Sequence, residues 1–261
     1  MSWKNGNGEW ELPKFKDAHQ FLVEEFWSVK FYPYNKPGVD PIYAVVGGKH
    51  IVICRPPTEE NGVEVIRLIM DEEPSADHYT CCWTKDLATK TPLLCVAGVD
   101  AKIKIFDVLS GKLVRVLIGH GGEIDELTIS PINPHILASC STDSTIRIWS
   151  LDPTHKDFPC AAILTGGHKD TVTTIDFHHS GRYLISGGVD HMICLLLRKH
   201  EAANASSTLT CFTDPSRFDS YVRIIEFSAP ETETFWIRFS LFQGLPIPPS
   251  PNKPTQAPTP L

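Results

Sequence analysis

Two Gly-His pairs contain the residues best suited to chemistry in this chain. His120 opens the stretch "GHGGEIDELTISPINPHILASCSTDSTIRIWS", and His168 opens "GHKDTVTTIDFHHSGRYLISGGVD". In each stretch an alternating apolar run follows the histidine and leads to a serine and an aspartate. A histidine paired with an aspartate can act as a general base, or it can be a buried group with a purely structural role. The repetition of the whole pattern helps to decide between these two roles.

Catalytic and metal-binding interpretations of the polar motifs find little support. The "HGGE" at 120–123 resembles the oxyanion loop of an α/β-hydrolase, but the chain has no G-x-S-x-G nucleophile motif. The "HEAAN" at 200–204 lacks the second histidine of a zinc motif, and His178-His179 is an isolated pair. The acidic pairs at 72–73 and at 123 and 125 are predicted to be solvated loops. We therefore expect no catalytic residue, no metal and no cofactor.

The chain repeats one strand–turn–strand unit with an aspartate in the turn. The turn aspartates are Asp100, Asp143 and Asp190, which are 43 and 47 residues apart. This period is typical of the four-stranded blade of a WD40 β-propeller. The segment Thr145–Trp149 alternates apolar and polar residues, as a half-buried strand requires. A looser copy, "IYAVVGGKHIVICRP", precedes these three, so we predict an all-β propeller of about four blades.

The Gly-His histidines fit the buried polar group of a WD40 blade. Such a group links the histidine, a strand Ser or Thr, the turn Asp and a Trp of the third strand, and it is tolerated because each member finds a partner. Two copies are predicted, and the second has Leu196 at the tryptophan position. The first copy consists of His120, Ser139, Asp143 and Trp149. The second consists of His168, Ser186 and Asp190.

Composition narrows the class of protein further. The chain is 42% hydrophobic and 21% charged, with a formal net charge of −7, which argues against a nucleic-acid surface. No segment has the length and hydropathy of a signal peptide or a membrane span, so we expect an intracellular protein without membrane contact. The eight cysteines show no C-x-x-C spacing and several lie in apolar runs. They are predicted to be reduced core residues.

The blade pattern divides the chain into four predicted segments. Residues 1–25 form an N-terminal extension, 26–198 the WD40 blades, 199–243 a divergent segment with a partial match to a later blade, and 244–261 a Pro-rich disordered tail. A seven-bladed closure at this period needs about 300 residues. The propeller is therefore expected to be incomplete.

Four stretches resemble one family specifically. They are "VKFYPYNKPGVDPIYAVVGGKHIVIC", "DHYTCCWTKDLATKTPLLCVAGVDAKIKIFDV" and the two Gly-His stretches quoted above. Together they are similar to the embryonic ectoderm development / extra sex combs family, the WD40 subunit of Polycomb repressive complex 2. The resemblance runs from about 26 to 195. A weaker similarity returns at "FWIRFSLF".

The resemblance implies a non-catalytic, nuclear, seven-bladed propeller that supports transcriptional repression. One face would hold a helix of the SET-domain histone methyltransferase subunit, and the other would bind a histone H3 tail carrying trimethyl-lysine, alongside other Polycomb subunits. The family's aromatic cage would fall on Phe31, Tyr79 and Trp236, with Ile237 replacing a fourth aromatic residue. The alternative is a generic WD40 adaptor, such as a ubiquitin-ligase substrate receptor, because fold alone does not identify a partner.

Overall fold

The computed structural model describes residues 25–36, 38–56, 63–199 and 220–228. Within them the chain forms four four-stranded sheets, each an antiparallel meander in which sequential strands are neighbours. This all-β blade architecture is the predicted one.

The sixteen strands follow one another with a single short 3-10 helix, Pro153–His155, between β11 and β12 in the described residues. Blade 1 consists of β1 (Ser28–Phe31), β2 (Tyr43–Gly47), β3 (His50–Arg55) and β4 (Glu64–Met70). Blade 2 consists of β5 (His78–Lys85), β6 (Pro92–Gly98), β7 (Lys102–Asp107) and β8 (Lys112–Ile118). Blade 3 consists of β9 (Ile124–Ile129), β10 (Ile136–Ser141), β11 (Ile146–Ser150) and β12 (Cys160–Leu164). Blade 4 consists of β13 (Val172–Phe177), β14 (Tyr183–Gly188), β15 (Met192–Lys199) and β16 (Ser220–Ser228).

The fourth blade corrects one predicted boundary. Residue 198 was expected to end the blades, yet the outer strand of blade 4 is β16, which pairs antiparallel with β15 from Met192↔Ser228 to Lys199↔Ser220. Sequence reasoning missed it because no Gly-His opening or turn aspartate marks that segment. Residues 1–24, 200–219 and 229–261 lie outside the described residues, so the predicted extension and tail remain predictions.

Each interior blade is apolar on both faces because its neighbours cover both. Along β6, Leu94 and Val96 belong to the cluster shared with blade 1. Cys95 and Ala97, which point the other way, belong to the cluster shared with blade 3. Strand residues alternate in direction, so one strand serves two cores. A third cluster lies between blades 3 and 4 and includes Phe177.

Polar side chains on the innermost strands join one blade to the next. The Thr80 hydroxyl of β5 accepts the backbone N–H of Leu127 on β9 at 3.2 Å. At the corresponding place one blade further on, Glu126 accepts the backbone N–H of Ile175 at 3.1 Å and the hydroxyl of Thr174 at 2.7 Å. The innermost strands are β1, β5, β9 and β13, which surround the channel of the propeller. Their inner edges have no hydrogen-bonded neighbouring strand for the backbone amides. These side chains satisfy some of those amides.

Replacing Glu126 tests this inter-blade bonding. Glu126→Ala is expected to lower the free energy of unfolding by about 2–4 kcal/mol, because a buried N–H and a buried hydroxyl lose their acceptor. Glu126→Gln keeps an amide oxygen as acceptor and should cost about half as much or less. Chemical denaturation measures both, with the exposed Glu72→Ala as the control. A loss below 0.5 kcal/mol, roughly the level of a surface substitution, would show that the blades do not depend on this contact.

Candidate functional site

The predicted polar group of blade 3 is a closed hydrogen-bonded chain. The His120 ring contacts Asp143 Oδ2 through Nδ1 at 2.8 Å and Ser139 Oγ through Nε2 at 2.7 Å. The Trp149 indole N–H donates to the same Ser139 oxygen at 2.8 Å. Both ring nitrogens are therefore engaged, and the histidine side chain has no exposed surface.

The turn aspartate is fixed by its own hairpin. Asp143 Oδ1 accepts the Thr145 backbone N–H at 3.0 Å, and Ser144 between them has φ = 61°. The same arrangement recurs in the other two blades with a turn aspartate, where Ala101 and His191 have φ of 57° and 58°. An aspartate that caps its turn in this way leaves its second oxygen free to meet the histidine.

Electrostatics support a structural role for His120. Burial lowers the pKa of the imidazole, and the hydrogen bond to Asp143 only partly opposes this effect. Burial also disfavours the ionised Asp143, but hydrogen bonds from His120, Thr145 and Gly121 outweigh it and hold the pKa of that carboxyl well below its usual range. A neutral, enclosed imidazole beside an ionised aspartate stabilises the blade.

Blade 4 repeats the group with one member changed. His168 contacts Asp190 Oδ1 at 3.0 Å and Ser186 Oγ at 2.9 Å. Leu196 stands at the tryptophan position, as predicted, and is buried. Ser186 therefore has no indole N–H to accept at that position.

Blade 2 contains a polar cluster that sequence reasoning missed. Lys104 Nζ lies 2.5 Å from Asp71 Oδ2 and 2.8 Å from Asp100 Oδ2, and His78 Nε2 lies 3.2 Å from Asp71 Oδ2. Burial lowers the pKa of His78, so its imidazole is neutral. In the sequence, Lys104 stands between Ile103 and Ile105, and this alternation of apolar and charged residues predicts that the lysine side chain faces solvent. In the structure the lysine is buried. Only the fold brings Asp71, from the end of blade 1, against it.

An aromatic pair lies where the chain enters the first two blades. Trp27, just before β1, and Tyr79, near the start of β5, have ring centroids 6.0 Å apart and planes at 79°. Two rings at nearly a right angle form two walls of a corner, which is the geometry that suits a cation between aromatic faces. Trp27 was not predicted to be a site residue. Its signal is the aromatic run "FWSVKF" next to the strand.

Carboxylates surround this aromatic pair. The Trp27 indole N–H donates to Asp77 Oδ1 at 3.1 Å. The Tyr79 hydroxyl donates to Glu123, and burial together with the nearby charges of Glu123 and Asp77 raises the pKa of Tyr79 to about 12. The polar atom of each ring thus faces an acidic side chain. A cation entering the corner meets negative potential from both walls.

The structure does not bring Phe31 to Tyr79, which corrects the predicted cage. Phe31 is the last residue of β1, is 64% exposed, and packs on Tyr43 with centroids 5.7 Å apart. At that level of the channel the neighbour on β5 is Trp83, whose indole N–H donates to Lys30 O at 2.8 Å. Four residues separate Tyr79 from Trp83, so Phe31 lies about 13 Å along the channel from Tyr79. Trp236 lies outside the described residues.

An apolar cavity of about 340 Å³ opens at that other end, between blades 1 and 2. Aromatic and aliphatic side chains form most of its wall. They are Tyr32, Ile42, Ile53, Ile66, Trp83 and Val108. Val39 and Leu109, at its edge, are 56% and 42% exposed. A pocket of this size and lining can accept one or two apolar side chains.

Other chemistry finds no support in the described part of the chain. It contains no cluster of three or more His, Cys, Asp or Glu side chains placed to hold a metal ion. No helix there is long and apolar enough to cross a membrane. None of the described cysteines forms a disulfide bond, and burial raises the pKa of Cys54 and of Cys194 to about 11, which keeps both thiols protonated.

Comparisons with known proteins agree with the blade architecture. The WD domain, G-beta repeat model matches residues 111–150 and 158–195. The Polycomb protein EED of Chaetomium thermophilum is 44% identical over 72% of this chain and 37% of its own length. The Polycomb protein esc of Drosophila melanogaster is 35% identical over 59% of this chain and 36% of its own. The chain thus spans little more than a third of the length of these two relatives.

Solved structures of Polycomb repressive complex 2 contain chains that are similar to a larger share of this chain. Chaetomium thermophilum Polycomb Repressive Complex 2 bound to GSK126 contains a chain that is 31% identical, with a TM-score of 0.65 over 91% of this chain and 69% of that one. A structure of ctPRC2 in complex with H3K27me3 and H3K27M contains a chain that is 30% identical, with a TM-score of 0.66 over 89% and 64%.

The blades and their His–Ser–Asp groups define a WD40-repeat β-propeller protein. Among such proteins, the chain belongs to the embryonic ectoderm development / extra sex combs family.

Removing the blade 3 histidine tests its structural role. His120→Ala should lower the free energy of unfolding by about 1–3 kcal/mol, because Asp143 and Ser139 each lose a buried partner. The exposed His179→Ala is the matched control and should change it by less than 0.5 kcal/mol, as surface substitutions usually do. Thermal and urea denaturation measure both. Equal stability of the two variants would contradict a structural role for His120.

Proposed function

We propose that this chain is a non-catalytic scaffold and trimethyl-lysine reader of a Polycomb-type histone methyltransferase complex in the nucleus, where it supports transcriptional repression. The observation that carries the proposal is the right-angled Trp27–Tyr79 corner with carboxylates behind it. Family membership supports the same function. The ligand would be a histone H3 tail, and the protein partners a SET-domain methyltransferase subunit and other Polycomb subunits, without direct binding of nucleic acid.

The chemistry of a quaternary ammonium explains why such a corner is needed. A trimethylated nitrogen cannot donate hydrogen bonds and is poorly hydrated, so aromatic faces attract it through their negative quadrupole. Unmodified lysine remains strongly hydrated and loses more on entering an aromatic site. Trp27 and Tyr79 form two walls, and Trp236 is proposed as a third. Phe31 is no longer part of the proposed cage.

Two ends of the channel would serve two partners. The aromatic corner lies at the end where Trp27 and Tyr79 begin their blades, and the 340 Å³ cavity lies at the other end. We propose that the cavity receives apolar side chains of the methyltransferase helix. Its lining is mostly apolar, with Asp40, Arg55 and Arg67 as its charged members, and two of its edge residues, Val39 and Leu109, are exposed. This suits a helix presenting a row of hydrophobic anchors.

Peptide binding tests the reader function. Wild-type protein is expected to bind a trimethyl-lysine histone H3 peptide more tightly than the unmodified peptide in calorimetry. Trp27→Ala and Tyr79→Ala should each weaken this binding roughly 3- to 30-fold, the loss expected for one ring of a cage. Phe31→Ala, which removes a more exposed aromatic ring from blade 1, should leave it unchanged. Equal affinity for both peptides would refute the reader function.

Co-purification tests the scaffold function and separates it from a general adaptor. Wild-type protein should recover a SET-domain methyltransferase, and Leu109→Glu should reduce that recovery at least tenfold because it places a charge at the edge of the apolar cavity. Phe158→Glu, which alters an 83% exposed residue in blade 3, is the control and should not. Recovery of a ubiquitin-ligase core instead of the methyltransferase would favour the adaptor.

A further inference from the structure

Both the backbone and the indole of Trp27 are held in place. Its backbone N–H donates to Val46 O at 2.9 Å, its Nε1–H donates to Asp77 Oδ1 at 3.1 Å, and its ring meets Tyr79 edge-on. The same Asp77 oxygen accepts the backbone N–H of Gly48 at 2.9 Å. One carboxylate oxygen thus links the indole to the β2–β3 turn.

The position of Asp77 is itself tightly constrained. A side chain at Gly98 would place its Cβ 1.8 Å from the carbonyl oxygen of Asp77, so the two backbones touch. Val99 N–H donates to that carbonyl at 3.1 Å, and the next residue, His78, donates its N–H to Gly48 O at 2.8 Å. These bonds fix the backbone of Asp77 at the start of blade 2, and the hydrogen bonds from Trp27 and Gly48 then orient its carboxylate.

A carboxylate at this position acts on the ring as well as holding it. Accepting the indole N–H shifts electron density toward the ring, which strengthens the attraction of its face for a cation. The negative charge also attracts a cation in the corner directly, and screening by the solvent is weaker at a partly buried site. Neither effect acts on a neutral group of the same shape.

We propose that Asp77 is a positioning and specificity-determining residue for the aromatic corner: it orients the Trp27 indole and makes the corner select a quaternary ammonium over a neutral group of equal size. This inference rests on the proposed reader function. Asp77 contacts the Trp27 wall and not the ligand: it acts through the orientation and electron density of the indole, and its charge adds an attraction across the corner.

A pair of peptides separates this role from a merely structural one. One histone H3 peptide carries trimethyl-lysine, and the other carries its neutral isostere, in which a carbon atom replaces the quaternary nitrogen. Asp77→Asn keeps an oxygen for the Trp27 and Gly48 N–H groups but removes the charge. Calorimetry should show trimethyl-lysine binding weakened about fivefold, and isostere binding changed less than twofold, because only the charged ligand responds to the lost charge.

Two further variants complete the experiment. Asp157→Asn removes one exposed charge from blade 3 and should leave both affinities unchanged, which controls for net charge. Trp27→Phe keeps an aromatic wall but has no N–H to donate. Adding Asp77→Asn to Trp27→Phe should therefore weaken trimethyl-lysine binding by a smaller factor than adding it to the wild type, as coupled residues do. Circular dichroism melting establishes that each variant folds.

The binding data distinguish a failure of the reader function from a failure of the proposed role of Asp77. If the wild type does not bind the trimethyl-lysine peptide, the reader function and this inference are both overturned. If the wild type binds and Asp77→Asn weakens both peptides equally, Asp77 is only structural and the inference alone is overturned. Unchanged binding of both peptides by a folded Asp77→Asn variant overturns it equally.

Discussion

The architecture depends on each sheet being covered by the next one. A sheet that is apolar on both faces cannot be stable in water alone, and β6 shows this most plainly, since its side chains alternate between the core with blade 1 and the core with blade 3. The innermost strands then lie side by side and point in the same direction. Residues that begin these strands, such as Tyr79, therefore meet at one end of the channel, and residues that end them, such as Trp83, meet at the other.

Dense apolar packing makes any polar group inside the blades costly unless it has a hydrogen-bond or ion-pair partner. The blades provide such partners in two ways. Blades 3 and 4 use a buried histidine between a serine and a turn aspartate. Blade 2 keeps the turn aspartate but surrounds it with Lys104 and Asp71, a buried ion-pair cluster. The two solutions differ in free energy. An ion pair offsets the large cost of desolvating two charges only when its geometry is close. A neutral imidazole, such as that of His120, avoids most of that cost.

Sequence reasoning reached the fold and the histidine groups because both are local signals. The 43- and 47-residue spacing of the turn aspartates and the order His120, Ser139, Asp143 and Trp149 can be read along the chain. The aromatic corner and the Lys104 cluster could not be read in this way, since each joins residues from different blades. The resemblance places Phe31 in the cage, whereas the side-chain contacts between blades 1 and 2 put Trp27 beside Tyr79.

The outer strand of blade 4 has a consequence for how such proteins change over time. Among the described strands, β16 pairs with β15 alone, and it consists of residues 220–228, whereas β15 ends at Lys199. An outermost strand is hydrogen-bonded to a neighbouring strand on one side and lies furthest from the channel. Lengthening the loop that leads to it costs little free energy. Insertions and altered exon boundaries are therefore better tolerated at this junction than at the β1 and β5 entries. Lineages can rebuild the rim of a blade there while both ends of the channel stay as they were.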